Sequence, residues 1–226
     1  MNKTQQQNFW DERYAHRDYV YGILPNAYYK DKLKNLTPGT ILLPAEGEGR
    51  NAVFAALSGW SAQAFDQSIK GKEKALLLAQ NNGVEISYDI EDAEQAQYQE
   101  NSFDALALIF AHFPEGKRRL IHQNLIGFLK PGGALILEGF SKNHAEFQKE
   151  NPKAGGPRDP AMLFEVEELK EDFKDFDFLE AYEQNITLEE GQFHQGEASV
   201  VRIFAVKRSF NGPRFVGKQL SKHEMQ

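Results

Sequence analysis

Between an apolar run and an amphipathic one lies Glu46-Gly47-Glu48-Gly49-Arg50-Asn51-Ala52. Glycines at a strand-to-helix turn let backbone approach a ligand, and the helix N-terminus favours negative charge. Gly47, Gly49 and Ala52 also satisfy the G-x-G-x-x-A spacing of a nicotinamide dinucleotide site. Glu46 argues against that ligand. A carboxylate just before the first glycine is awkward beside a pyrophosphate and useful beside an ammonium group. Asp66 closes the next apolar run, where a carboxylate accepts two hydrogen bonds from a ribose diol. A third acidic cluster, Asp89, Glu91 and Asp92, follows a third run. A carboxylate there can accept the exocyclic amine of an adenine; Asp92 with Ala93 fits, and Asp89 and Glu91 remain alternatives. Together these residues describe a ligand with an ammonium group, a ribose and an adenine.

Such residues need a frame that brings successive strand ends to one edge. Short apolar runs at 40–45, 60–65, 84–88, 103–110 and 134–140 alternate with helical segments at 50–57, 68–82 and one after Pro114. In the last of these, Ile121, Leu125, Phe128 and Leu129 form a single apolar stripe. Strand–helix alternation implies right-handed βαβ units and a parallel sheet covered on both faces. Lys130-Pro131-Gly132-Gly133 is expected to stop the helix. Residues 141–163 read as an insertion or long loop, and Val166, Leu169 and Phe173 mark one more helix. Two β-like stretches, 176–189 and 198–207, follow without a helix between them, so they pair antiparallel. The expected fold is therefore α/β, a Rossmann-like, mostly parallel seven-stranded sheet with a C-terminal antiparallel pair. Residues 1–37 read as an aromatic-rich lid segment, 38–208 as the main domain and 209–226 as a disordered tail.

Composition narrows the function classes. The chain has 226 residues, 41% of them hydrophobic and 26% charged, as in soluble globular proteins. Its 33 acidic against 26 basic residues give a net charge of −7, which argues against a nucleic-acid partner. There is no cysteine, so disulfides, thiolate metal sites and cysteine nucleophiles are excluded. The six histidines include no i, i+4 pair, and no metal site is expected. The N-terminus lacks the apolar core of a signal peptide and no run is long enough to span a bilayer, so neither membrane association nor export is expected and the cytoplasm is the expected compartment.

At this point the sequence resembles the class I S-adenosylmethionine-dependent methyltransferases over about residues 9–207. The acidic-residue-plus-glycines motif is matched by Glu46 to Gly49, the ribose acid by Asp66 and the acid after the third strand by Asp92. Ser102-Phe103-Asp104 and Leu129 to Gly133 are similar to the family's fourth-strand start and its turn before strand five. Asn51 stands where many members carry a further glycine. Phe9-Trp-Asp-Glu-Arg-Tyr14, Tyr19-Val-Tyr-Gly22, Pro25-Asn26, and Leu188-Glu-Glu-Gly191 with His194 and Gly196 look like the tellurite-resistance and thiopurine branch. The resemblance implies an enzyme with S-adenosylmethionine as cofactor, bound by Glu46, Gly47, Gly49, Asp66, Asp92 and Ala93. Trp10, Tyr14 and Tyr21 would cover the adenine or the sulfonium by cation–π contact.

Methyl transfer needs an aligned nucleophile and exclusion of water. The acceptor is expected outside the carboxyl ends of strands four and five. There His112 is the best-placed base, and Arg158 and His194 are candidate substrate-binding residues. A small soft acceptor (sulfur, selenium or tellurium) or an anionic one would need no strong base. The alternatives are a non-catalytic cofactor-binding protein of the same fold, or a nicotinamide-dependent oxidoreductase.

Overall fold

In the computed structural model, which describes residues 3–209, seven strands form one sheet in the order β3-β2-β1-β4-β5-β7-β6. Strands β1 (Thr40–Pro44), β2 (Ser61–Asp66), β3 (Ser87–Ile90), β4 (Phe103–Ile109) and β5 (Leu129–Phe140) run parallel. Strand β7 (His194–Lys207) lies antiparallel between β5 and β6 (Phe176–Glu190). This is the expected Rossmann-like sheet with its closing antiparallel pair.

Helices cover both faces because the central strands are apolar on both. Leu42, Leu106, Leu108 and Leu135 pack with Ile121, Leu125 and Phe128 of α5 (Glu115–Phe128). On the other face Ile41, Leu43, Ala105 and Ala107 pack with Ala52 and Ala55 of α3 (Arg50–Leu57). Helix α4 (Ile69–Asn81) starts where the Ser68 hydroxyl accepts the Gly71 N–H, and the chain then turns at Gly83 with φ +67°.

The structure departs from expectation in four places. Strand β3 starts at Ser87, because Val84 and Ile86 are drawn into a small cluster with Val53 and Leu78; Asp89 therefore lies inside the strand. Helix α5 ends at Phe128, ahead of Lys130 to Gly133 as expected, but β5 begins at Leu129 and not at Ala134. Phe103 pairs with Leu129 and Ala105 with Ala134, so these residues bulge out of a continuous β5. The stretch 141–163 is not a loop but holds α6 (His144–Glu150) and two 3₁₀ turns, with Ala154 and Leu163 buried. Helix α7 (Val166–Asp172) follows as expected. Lastly, β7 begins at His194, which leaves only Gly191 to Phe193 as the hairpin turn.

The expected lid segment divides in two. Helix α2 (Ala27–Leu33) places Tyr28, Tyr29 and Leu33 in the same core as Ile41 and Leu43. Only the part before it, with α1 (Lys3–Tyr14), rides on the outside, against α4. Residues 210–226, most of the expected tail, lie outside the described residues.

At the carboxyl edge the chain leaves β1 through Ala45 (φ +52°) and β4 through Phe110 (φ +53°). Non-glycine residues seldom adopt this left-handed conformation. Both turn the chain sharply at the edge where the carboxylates gather.

Candidate active site

The turn after β1 collects three carboxylates. Glu46 faces inward: its Oε1 accepts the backbone N–H groups of Asn51 (2.7 Å) and Ala52 (2.8 Å), the first turn of α3. Burial pushes its carboxyl up to about 7, against the pull of those bonds. Asp66 Oδ2 accepts the Gly47 N–H (3.1 Å) and Oδ1 the Ser68 N–H (2.9 Å). It too is raised by burial, to about 6. Neither forms an ion pair among the described residues. Glu48 does, with Lys74 Nζ at 2.7 Å, and its other oxygen accepts the Val20 N–H at 2.8 Å.

The two glycines serve different neighbours. A Cβ on Gly47 (φ +62°) would lie 2.5 Å from the Tyr14 hydroxyl; a Cβ on Gly49 (φ +86°) would lie 2.4 Å from Ala75 Cβ in α4. Gly49 is thus required by helix packing. Gly47 alone opens toward the edge of the sheet.

The covering aromatics also diverge. Tyr14 is buried over Gly47 and Gly71. Trp10 stacks on it at 5.5 Å and is half-buried. Tyr21 turns the other way, 4.5 Å from the His194 ring, with its hydroxyl accepting from Arg13 at 3.0 Å.

Beyond Asp66, the Glu91 N–H donates to the Asp66 carbonyl at 3.1 Å, which sets the third acidic cluster against Asp66. Asp89 is spent on Gln63 and Tyr98, both at 2.9 Å. Asp92 Oδ1 accepts the Glu94 N–H at 3.0 Å, and Ala93 is buried in the core. An open depression lined by Glu91, Glu94, Gln95 and Gln97 lies here.

With this geometry in view, comparisons with known proteins agree on one reading. Residues 41–133, which hold the glycine turn and all three acidic positions, match the methyltransferase domain family. Over these residues the chain is similar to a methyltransferase domain. The fold of the whole chain is also shared. A structure from work on the conversion of a disulfide bond into a thioacetal group during echinomycin biosynthesis superposes with a TM-score of 0.74, at 18% identity over 92% of this chain and 93% of that one. TehB from Haemophilus influenzae gives 0.66, at 20% identity over 90% and 67%. Magnesium protoporphyrin IX methyltransferase from Synechocystis, solved with bound S-adenosylhomocysteine, gives 0.65, at 15% identity over 92% and 99%. These likenesses establish the class I methyltransferase fold. No curated protein matches the sequence.

Beyond the ends of β4 and β5 the residues expected to meet an acceptor do not converge. His112 is held by backbone on both ring nitrogens: Nδ1 donates to the Met162 carbonyl (2.8 Å) and Nε2 accepts the Phe140 N–H (3.0 Å). It lies between Phe140 and Phe164, and burial lowers its pKa to about 3. With no nitrogen free, the expected base joins β4 to the 141–163 segment. Arg158 is exposed, and no described residue bonds its guanidinium. His194 is buried beside Phe110 (4.4 Å) and Phe140 (5.3 Å), at the ends of β4 and β5.

Sequence reasoning missed a polar chain that links the two sides. The Asn26 N–H donates to Asn51 Oδ1 (2.9 Å), while its Nδ2 donates to Glu138 (2.6 Å) and Glu190 (3.2 Å). Arg202 holds the other oxygen of Glu138, and Arg50 pairs with Glu190 at 2.8 Å. One signal was present: Glu190-Gly-x-x-His194 puts positions 190 and 194 opposite each other across a tight turn.

Proposed function

We propose that the protein transfers a methyl group from S-adenosylmethionine to a small molecule, a soft sulfur, selenium or tellurium nucleophile or an anionic acceptor. The observation that carries the reading is the pair of carboxylates at this turn, half-buried Glu46 and buried Asp66, neither of which forms an ion pair among the described residues. Buried carboxylates are costly unless compensated. A ligand bearing an ammonium and a sulfonium compensates them; a dinucleotide, with its anionic pyrophosphate, does not.

The residues fit such a group. Asp66 uses one lone pair of each oxygen on backbone, which leaves the others for a ribose diol. Glu46 is occupied by α3, so it supplies charge rather than a direct hydrogen bond. Gly47 keeps the turn open, and Tyr14 with Trp10 lies over it to exclude water. The cofactor supplies an electrophilic methyl group on sulfur. The chain's task is alignment and dryness.

A soft acceptor agrees with the likeness to the tellurite-resistance branch and with a structural relative whose reported reaction occurs at sulfur. The net charge of −7 disfavours a polynucleotide acceptor. No helix among the described residues is long and apolar enough to cross a membrane, and we place the enzyme in the cytoplasm. Calorimetric titration with S-adenosylmethionine, S-adenosylhomocysteine and NADH tests the reading. Binding of the first two is expected; NADH binding without them overturns it.

A further inference from the structure

The described histidines at the carboxyl edge of the sheet are not alike. His112 spends both ring nitrogens on backbone, and so does His144, through the Gly155 carbonyl and the Ser199 N–H. His194 does not. Its Nδ1 lies 3.2 Å from Glu190 Oε2, directly across the β6–β7 turn, and no hydrogen bond from a described residue reaches its Nε2. His122 also pairs with a carboxylate, Asp172, but it sits between α5 and α7, stacked on Phe173.

Glu190 is fixed from three sides, by His194, by Arg50 Nη2 (2.8 Å) and by Asn26 Nδ2 (3.2 Å). Arg50 is the first residue of the helix that follows the glycine turn, so the carboxylate is tied to the cofactor side of the fold. Burial alone would raise the Glu190 carboxyl. The His194 hydrogen bond and the Arg50 charge outweigh it and hold the group at about 2, ionised at every working pH. An ionised carboxylate on Nδ1 keeps the proton there and leaves the Nε2 lone pair as acceptor. The ring is walled by Tyr21, Phe110 and Phe140, and Gly155 crosses its Nε2 side: a Cβ on Gly155 would lie 2.6 Å from Cδ2 and 3.3 Å from Nε2. Only a glycine permits that approach.

We infer that His194 is the acceptor's general base, that Glu190 is its positioning residue, and that the acceptor is a small thiol entering uncharged. The inference rests on the methyltransferase reading. An aromatic-walled site suits a neutral thiol better than a preformed anion. A thiol, with a pKa of about 8.5, is also an acid that an imidazole can ionise near neutral pH, unlike an alcohol. The S–H proton passes to His194 Nε2. The thiolate sulfur then bonds to the methyl carbon as that carbon's bond to the sulfonium breaks, the electron pair staying on the departing sulfur. The proton leaves His194 for solvent, so each turnover releases one proton.

Several groups face His194: Glu190 from β6, Arg50 from α3, Arg13 from α1, Tyr21 beside it, and His112 and His144 across the edge. Burial lowers its pKa, with Glu190 opposing, so the acid limb of activity should lie below pH 6.5.

The test uses the full chain and two probes, 2-mercaptoethanol and thiophenol, the second already ionised near neutral pH. His194→Gln should lower turnover of 2-mercaptoethanol by about 10²–10⁴-fold and that of thiophenol by less than tenfold. Glu190→Gln should move the acid limb to lower pH, and Glu190→Asp should restore it in part. A purely structural role would move neither. Independently of turnover, the His194 Nε2 resonance should shift when 2-mercaptoethanol is added to the chain loaded with S-adenosylhomocysteine. An unmoved resonance, equal losses for both thiols, or a native chain that binds the cofactor and methylates neither thiol overturns the inference and leaves the methyltransferase reading standing. Failure to bind the cofactor at all defeats both.

Discussion

At Gly49 a methyl group in place of hydrogen would lie 2.4 Å from the Ala75 Cβ and 2.7 Å from its Cα, with φ at +86°. Gly49→Ala should therefore destabilise the fold by about 2–5 kcal/mol, from the left-handed conformation and the forced helix shift together. Gly47→Ala meets only the tip of the Tyr14 side chain and should cost about 1–2 kcal/mol. Urea denaturation of the two variants separates these roles; equal losses would contradict them. Asp66→Ala should weaken S-adenosylmethionine binding roughly 10- to 150-fold, from the loss of about 1.5–3 kcal/mol of hydrogen bonding to a charged group. Calorimetry reads this directly, and unchanged affinity would leave Asp66 only its bonds to Gly47 and Ser68. His112→Asn should cost about 2–4 kcal/mol of stability, because the Met162 carbonyl and the Phe140 N–H lose their buried partner. Cofactor affinity should not change. A stable variant with lost activity would return His112 to the chemistry.

Among the elements, the N-terminal segment is the informative one. Its outer part is held mainly by hydrogen bonds to α4, the glycine turn and the hairpin: among them, Glu48 takes the Val20 N–H, Tyr19 Oη donates to the Lys74 carbonyl, Ser68 Oγ donates to Asp11, and the Gln192 N–H donates to the Val20 carbonyl. Helix α2 is different in kind, since Tyr29 and Leu33 are fully buried. Deleting residues 1–22 should leave a cooperatively folding chain with weaker cofactor binding. Deleting 1–34 should abolish cooperative unfolding, because large core side chains go with α2. Thermal melts of the two truncations decide between this division and a single boundary at residue 38. If both melt alike, the packing of α2 contributes little.

For the whole molecule the buried acids set a pH dependence. Glu46 and Asp66 are raised by burial to about 7 and about 6. An acid raised on folding binds protons more tightly in the native state, so its contribution to stability falls as pH rises from about 4 to about 7. His112, lowered by burial to about 3, acts oppositely up to its unfolded value of about 6.5. Glu46→Gln isolates the first effect, and its stability should decline less than that of the native chain between pH 5 and pH 7.5. A cationic ligand prefers the ionised acids, so S-adenosylmethionine affinity should increase from pH 5.5 to pH 7.5. Calorimetry across that range checks it, and a constant or falling affinity would contradict the charge-compensation argument.

The amino-acid sequence by itself determined the sheet, its strand-to-helix alternation and the closing antiparallel pair, because these depend on local periodicity and turn chemistry. Ser68 and Gly83 bound α4 as their types require. Glycines and acids at strand ends were legible for the same reason, since the parallel topology brings those ends to one edge. Tertiary structure alone decided what each polar group faces. His112 ends an apolar run and His194 sits in a polar hairpin, yet it is the first that backbone saturates on both nitrogens and the second that pairs with a carboxylate, Glu190. Gly47 and Gly49 are two residues apart, yet one faces the lid and the other a helix. Asn26, Glu138 and Glu190 meet only because α2, β5 and the hairpin converge on one edge. Hydrogen-bond partners that are distant in sequence leave no period in it, and the network that joins the two halves of the site is built entirely of such partners.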